Sequence, residues 1–157
     1  MTDLTGRRYL VTGASRGIGA AICHTLHGFG ASVVGTFHRD AAAAARLSRD
    51  LERLTMLQVD LADRADTERM LTAVRALPPL DGIVANAGIM ATERFADFSM
   101  LTWDRTFEVN VNAVALICHR LADDLRDGGG IVTVTSTDAA IGSFGNVAYA
   151  ASKAALV

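Results

Sequence analysis

Cysteine, clustered histidine, charge of one sign and long apolar runs are all scarce in this chain. Each scarcity removes a class of function. The two cysteines, Cys23 and Cys118, fall far apart in different predicted helices. They offer no disulfide framework and suit a reducing compartment and apolar packing. The four histidines, His24, His27, His38 and His119, are scattered. A zinc site needs clustered ligands, so no metal centre is expected. The formal net charge is only −2 over 157 residues. Nothing electrostatic therefore argues for nucleic acid or a membrane surface. The longest apolar stretches fall far short of a membrane span, and Met1 to Arg8 holds no signal-like run. A cytoplasmic chain is expected.

What is present is ordinary for a globular protein. Half the residues are apolar and a fifth are charged, and the length suffices for one domain with a proper core. The pattern alternates strand and helix. Arg8 to Thr12 reads as a buried strand leading into a glycine turn. The helix after it places Ile18, Ile22, Leu26 and Phe29 on one face, at helical spacing. Gly28 and Gly30 mark its end. Ser32 to Phe37 is a second strand, and Asp40 is placed to cap a helix from Ala41 to about Leu54. Thr55 to Val59 is a third strand, followed by a helix near Thr67 to Leu77 that Pro78-Pro79 stops. Gly82 to Asn86 is a fourth. A long helix, about Thr102 to Arg126, carries the stripe Phe107, Val111, Val114, Cys118, Leu121 and Leu125, read as core packing. Gly128-Gly129-Gly130 is expected to end it. Ile131 to Thr135 is a fifth strand, and a last helix begins near Val147. No linker, repeat or low-complexity segment interrupts this order. Alternation of this kind predicts an α/β fold: a doubly wound parallel sheet of Rossmann type, in one domain over 1–157.

Two places carry chemistry. Gly13, Gly17 and Gly19 follow the first strand and open a helix. Glycines allow a tight turn and close approach, and a helix start offers unpaired N–H groups to a pyrophosphate. The spacing differs from G-x-G-x-x-G, and an ordinary strand-to-helix turn is the competing reading. Far downstream, Tyr149 and Lys153 are four apart and share a helix face. A phenol is a poor acid at neutral pH, and an adjacent ammonium favours its phenolate. Ser136, ending the fifth strand, has a hydroxyl placed to hold a carbonyl oxygen at the same sheet edge. A Tyr/Lys pair at this spacing is also a common surface accident.

In combination these residues resemble the short-chain dehydrogenase/reductase family along essentially the whole chain. Thr12-Gly13-Ala14-Ser15-Arg16-Gly17-Ile18-Gly19 is similar to its cofactor turn. Asp60-Leu61 resembles its adenine-contacting pair, and Asn86-Ala87-Gly88 its N-A-G motif. Asn110 stands where the family keeps a catalytic asparagine. Ser136 and Tyr149-Ala150-Ala151-Ser152-Lys153 match its serine and Y-x-x-x-K signature. Within the family the chain looks most like 3-oxoacyl-carrier-protein reductases and their relatives.

The resemblance implies hydride transfer between NADP(H) and a carbonyl or alcohol substrate, with a 3-oxoacyl thioester among the candidates. Tyr149 would be the acid, Ser136 would polarise the carbonyl, and Lys153 would bond the nicotinamide ribose. Asn110 would hold a water linking Lys153 to solvent. NADP is favoured over NAD because Phe37, not an acid, ends the second strand, while Arg16, His38 and Arg39 supply cations for a 2′-phosphate. A merely solvated loop at His38 and Arg39 is the other reading. The stretch Asp138 to Asn146, with Phe144, would wall the substrate pocket, or be a flexible loop. Ala85 departs from the family, where many relatives have a second asparagine.

The larger departure is the end. Relatives continue through a complete helix, two more strands and a covering loop, so a chain lacking the last strands is expected, with an open apolar edge on the fifth strand and a final helix needing packing to persist. Homo-oligomers are implied for full-length relatives, and a short last helix works against them here. A non-catalytic dinucleotide-binding module is the alternative function.

Overall fold

Alternation along the first strands sets the architecture. The computed structural model describes residues 2–157. In β1 (Arg8–Val11), Leu10 and Val11 are wholly buried but point to opposite faces of the sheet. Leu10 joins one core with Val34, Met70, Leu71, Ile117 and Leu121. Val11 joins the other with Cys23, Val33, Leu47 and Leu54. β2 (Ser32–Phe37) divides Val33 and Val34 in the same way. A sheet covered on both faces follows.

The strands β3 (Leu54–Gln58), β4 (Leu80–Ala85) and β5 (Leu125–Thr133) complete one five-stranded sheet in the order β3-β2-β1-β4-β5, every neighbour parallel. The chain winds outward from β1 to β3, then crosses to the far side of β1. The reversal between β1 and β4 opens a crevice over the strand carboxyl ends. Helices α1 (Gly17–Gly28) and α2 (Ala41–Asp50) cover one face. Helix α3 (Arg64–Arg75) covers the other face, and α4 (Met100–Phe107) leads into α5 (Ala113–Leu121), which covers it too. Short α6 (Asp138–Ile141) and α7 (Val147–Ala154) end the order. No helix is long and apolar enough to cross a membrane among the described residues.

Local chemistry explains several boundaries. Asp40 caps α2, accepting from the Ala43 N–H at 2.8 Å. Asp63 does the same for α3, accepting from Ala65 and Asp66, so α3 starts three residues before the expected Thr67. α2 stops at Asp50 because Leu54 already belongs to β3, paired with Val33 of β2.

Three expectations need correction. The long helix is not continuous. A π-helical turn, Glu108–Asn112, separates α4 from α5, and the helix ends in a tight turn, Ala122–Asp124. The extra residue rotates everything after it, so Val109, Asn110, Ala113, Ile117 and Leu121 face inward. Of the expected stripe only Val114 and Leu121 are buried. Arg126 belongs to β5, and Gly128 to Gly130 form an irregularity in that strand, not a helix end. The face of α1 is only partly the expected one: Ile22 and Leu26 pack half-buried against the second core, and Phe29 is exposed. Gly19 and Cys23 are its buried residues, while Ile18 is 62% exposed. The helix approaches the sheet on its smallest side chains.

β5 lies at the sheet edge with Ile131 and Val132 exposed, as expected of an apolar edge. At the amino ends of the strands a buried carboxylate ties three of them together. Asp81 accepts from Arg7 Nη1 at 2.7 Å, the Arg8 N–H at 2.8 Å and Arg126 Nη1 at 3.2 Å. Burial pushes its pKa up, but the Arg7 and Arg8 hydrogen bonds and the Arg126 and Arg7 charges outweigh that and hold it below the usual carboxylate range. A depressed folded pKa means that the stabilisation is complete above the unfolded value, about 3.9, and is lost as pH falls through the folded one. Asp81→Asn should therefore cost about 2 kcal/mol at pH 7. The two melting curves should begin to approach each other below about pH 4 and meet only below the folded pKa. An equal deficit in thermal midpoint at neutral and acid pH would show that the charge contributes nothing.

Candidate nucleotide and carbonyl site

The turn after β1 is built by a clamp between the ends of β1 and β4. Thr12 Oγ1 accepts the Asn86 and Ala87 N–H groups, each at 3.0 Å. Asn86 Nδ2 donates back to the Thr12 and Gly13 carbonyls at 2.9 and 3.2 Å. Thr36, at the end of β2, braces the turn from the other side, accepting from Gly13 and Ala14. Gly13 adopts φ +66°, and a Cβ there would lie 2.9 Å from Ala87 Cα. Two chain segments thus approach closer than any side chain allows.

Arg16 stands at the N-cap of α1 in an extended conformation, with no side chain bonded to the first turn. Those N–H groups remain available to an anion. Gly13, Ser15, Arg16, Gly17 and Ile18 form one wall of a cleft of about 1050 Å³, whose other walls include His38, Arg39, Asp60, Leu61, Asn86, Ala87 and Gly88. Gly19 is the exception among the expected cofactor residues of this half. It lies beneath the turn, where a Cβ would fall 2.2 Å from the Gly13 carbonyl oxygen. It is a close-packed position off the cleft wall.

Electrostatics at the far end of the cleft redistribute the expected cations. His38 Nε2 lies 3.4 Å from the Asp60 carboxylate. Asp40 lines the cleft, but its carboxylate is engaged in capping α2. Arg16 and Arg39 are exposed on the cleft wall with no ion pair among the described residues. The α4 side was not anticipated. Arg105 and Thr106 line it, and the nearly fully buried Thr106 hydroxyl has no hydrogen-bond partner. Sequence held no signal for these residues, which reach the cleft only through helix packing.

The second cluster meets the first at Gly88. A Cβ placed there would lie 3.3 Å from Asn110 Oδ1 and 3.4 Å from Lys153 Nζ. Lys153 is 3% exposed. Its ammonium donates to the Val134 carbonyl at 2.7 Å and stands 5.8 Å from the centre of the Tyr149 ring. Burial pushes the lysine pKa down. Ser136, expected to end the fifth strand, lies three residues beyond β5 and accepts the Asp138 N–H at 3.2 Å. Ser136, Tyr149 and Lys153 do not line the large cleft itself.

Asn110 is wholly buried in the π-helical turn. Its Oδ1 accepts the Ile89 N–H at 2.8 Å, and Nδ2 donates to the Ile89 carbonyl and to Ser152 Oγ at 3.0 and 2.9 Å. Both amide protons are taken, so its side chain clamps the Ile89 backbone to Ser152. Ser152 in turn donates to the Tyr149 carbonyl at 2.7 Å. The motif reading treated Ser152 as a spacer, yet it couples Asn110 to the tyrosine's turn of helix. Asp138 to Asn146 is a one-turn helix with a loop, and Phe144 is 94% exposed on it.

Known proteins with this architecture are numerous. The short chain dehydrogenase profile matches residues 7–157. Nodulation protein G of Rhizobium meliloti (strain 1021) is 35% identical over 161 residues, covering 100% of this chain and 65% of its own length. The 3-oxoacyl-[acyl-carrier-protein] reductase FabG of Aggregatibacter actinomycetemcomitans is 34% identical, covering 94% of this chain and 64% of itself. A short chain dehydrogenase from Burkholderia cenocepacia J2315, solved in complex with NADP, superposes with a TM-score of 0.92 at 39% identity, covering 98% of this chain and 65% of the other. The chain thus spans about 65% of the length of these relatives.

Proposed function

The chain belongs to the short-chain dehydrogenase family, and from that premise we propose that it transfers a hydride between NADP(H) and a carbonyl or alcohol substrate. The observation that carries the reading is the meeting at Gly88. One glycine borders the nucleotide cleft and lies against Asn110 and Lys153 of the second cluster.

A dinucleotide suits the residues present. The Gly13 cradle excludes any side chain, the first turn of α1 is uncapped, and Thr106 offers an unpartnered hydroxyl along the wall. Gly13, Ser15, Arg16, Gly17 and Ile18 would hold its phosphates. Asp60, Leu61, Asn86, Ala87 and Gly88 would hold the adenosine half. When bound, the dinucleotide supplies the hydride. Tyr149 donates a proton to the carbonyl oxygen or removes it in reverse. Ser136 donates a hydrogen bond to the same oxygen. Lys153 keeps a positive charge beside the phenol and binds ribose hydroxyls. Asn110 and Ser152 fix the helix that carries both.

The preference for NADP over NAD rests on Arg16 and Arg39, with His38 drawn toward Asp60. A relative solved with NADP supports it by likeness. The test is a fluorescence titration with NADPH and NADH in parallel. Arg16→Ala should weaken NADPH binding roughly tenfold, the scale of a lost charge-assisted bond, and NADH binding much less. Equal weakening of both would remove Arg16 as the reader of the 2′-phosphate.

A 3-oxoacyl thioester is the proposed substrate class, by likeness to the FabG reductase. A non-catalytic nucleotide-binding module is favoured by one observation, that Ser136, Tyr149 and Lys153 do not line the nucleotide cleft. NADPH-dependent reduction of a generic ketone separates the two.

A further inference from the structure

The start of α7 is not held by its own cap. Asn146 occupies the N-cap, where an asparagine usually accepts a first-turn N–H, and it makes no such bond. Its Nδ2 donates to Ser143 Oγ at 3.0 Å, and its Oδ1 accepts the Thr92 hydroxyl at 3.0 Å. Beside it the Glu93 N–H donates to the Gly145 carbonyl at 2.8 Å, and Glu93 and Asn146 form an isolated parallel bridge. The segment after β4 is thus strapped to the loop that precedes Tyr149.

The Glu93 carboxylate reaches the other way. Oε1 accepts the Thr102 hydroxyl at 2.8 Å and Oε2 accepts the Ser99 N–H at 3.2 Å. Ser99 is the N-cap of α4, and Thr102 lines the nucleotide cleft. One residue therefore joins α4, the segment after β4 and the loop into α7. The other half of α7 has separate anchors, Ser152 on Asn110 and Lys153 on Val134. Tyr149 lies in the half that the strap begins, with its carbonyl held from the far side by Ser152.

We propose that Glu93 is a positioning residue for Tyr149, setting the start of α7 against α4 through the Thr92–Asn146 strap. The proposal rests on Tyr149 being the acid of the site. Without the carboxylate the strap keeps its backbone pairing but loses its purchase on α4, and the first turn of α7 frays. The acid is then misplaced from the carbonyl oxygen, while the nucleotide cleft keeps all its proposed phosphate contacts.

The amide of Ala150, bonded to the Asn146 carbonyl at 2.8 Å, reports on that turn. Hydrogen exchange followed by NMR on the whole chain tests the idea. Glu93→Ala should speed Ala150 exchange roughly tenfold or more, with Leu10 and Val34 amides unchanged. Glu93→Gln keeps one acceptor for Thr102 and should fall between. NADPH affinity should stay within about twofold, and in ketone reduction kcat should fall while KM for NADPH holds. Unchanged Ala150 exchange, or equal acceleration of every amide, would overturn the proposal. Faster Ala150 exchange in a chain that binds no NADPH would overturn the cofactor reading and leave the positioning role standing.

Discussion

Tyr149→Phe should abolish carbonyl reduction and leave NADPH binding within about twofold of the parent. The change removes one oxygen. The ring stays, and with it the contact between the Lys153 ammonium and the aromatic face. The Ser152 bond to the Tyr149 carbonyl involves backbone and also stays. What disappears is the proton donor for the substrate oxygen. A positioned general acid contributes roughly 10²–10⁴ in rate, so the loss should fall at least in that range and appear in kcat. The phenol is proposed to hold neither the phosphates nor the adenosine, so affinity has little reason to change. Loss of binding together with turnover would mean that Tyr149 is structural. Retained turnover would move the acid elsewhere.

Gly19→Ala should be the most damaging single-methyl change in the nucleotide half. The added carbon would fall 2.2 Å from the Gly13 carbonyl oxygen, 2.9 Å from its carbon and 2.7 Å from Asn86 Nδ2. Two of these are backbone atoms of the turn, which cannot swing aside. Relief requires α1 to move off the sheet, and that breaks the Asn86 bond to the Gly13 carbonyl. Overpacking of this kind costs about 1–3 kcal/mol or more, or a fall of several degrees in thermal midpoint at roughly 2–4 °C per kcal/mol. NADPH affinity should fall by more than about 100-fold, because the cradle and the helix start separate. Gly28→Ala is the control. A Cβ there meets nothing within 4 Å, and alanine favours the helix by about 1 kcal/mol. It should be neutral or stabilising. A Gly19→Ala protein that melts and binds like the parent would show that the close approach of α1 is dispensable.

The contrast between Gly19 and Ile18 shows where sequence reasoning stops. Both stand in the same motif. The glycine pattern marked a turn, yet hydrophobic periodicity put Ile18 on the buried face of α1, and it faces the cleft instead. Size, not hydrophobicity, chose the face, because the helix has to come within contact of the Gly13 carbonyl. Asn110 repeats the lesson. Its position was expected to matter, but the single extra residue of the π-helical turn reset the phase of the helix and turned the amide onto Ile89 and Ser152.

The alternation of strands and helices, the Asp40 cap and the four-residue step from Tyr149 to Lys153 were legible in the chain because each depends on neighbours a few residues away. Backbone dihedrals, caps and helical spacing act at that range, and residue order records them. The Thr12–Asn86 clamp, the buried Asp81 network, the Thr106 wall and the Glu93 strap join segments dozens of residues apart. Their partners are chosen by how far α1 and α4 sit from the sheet, and that distance is the sum of many side-chain volumes. No local pattern carries such a sum, so these contacts came into view only once the elements were packed.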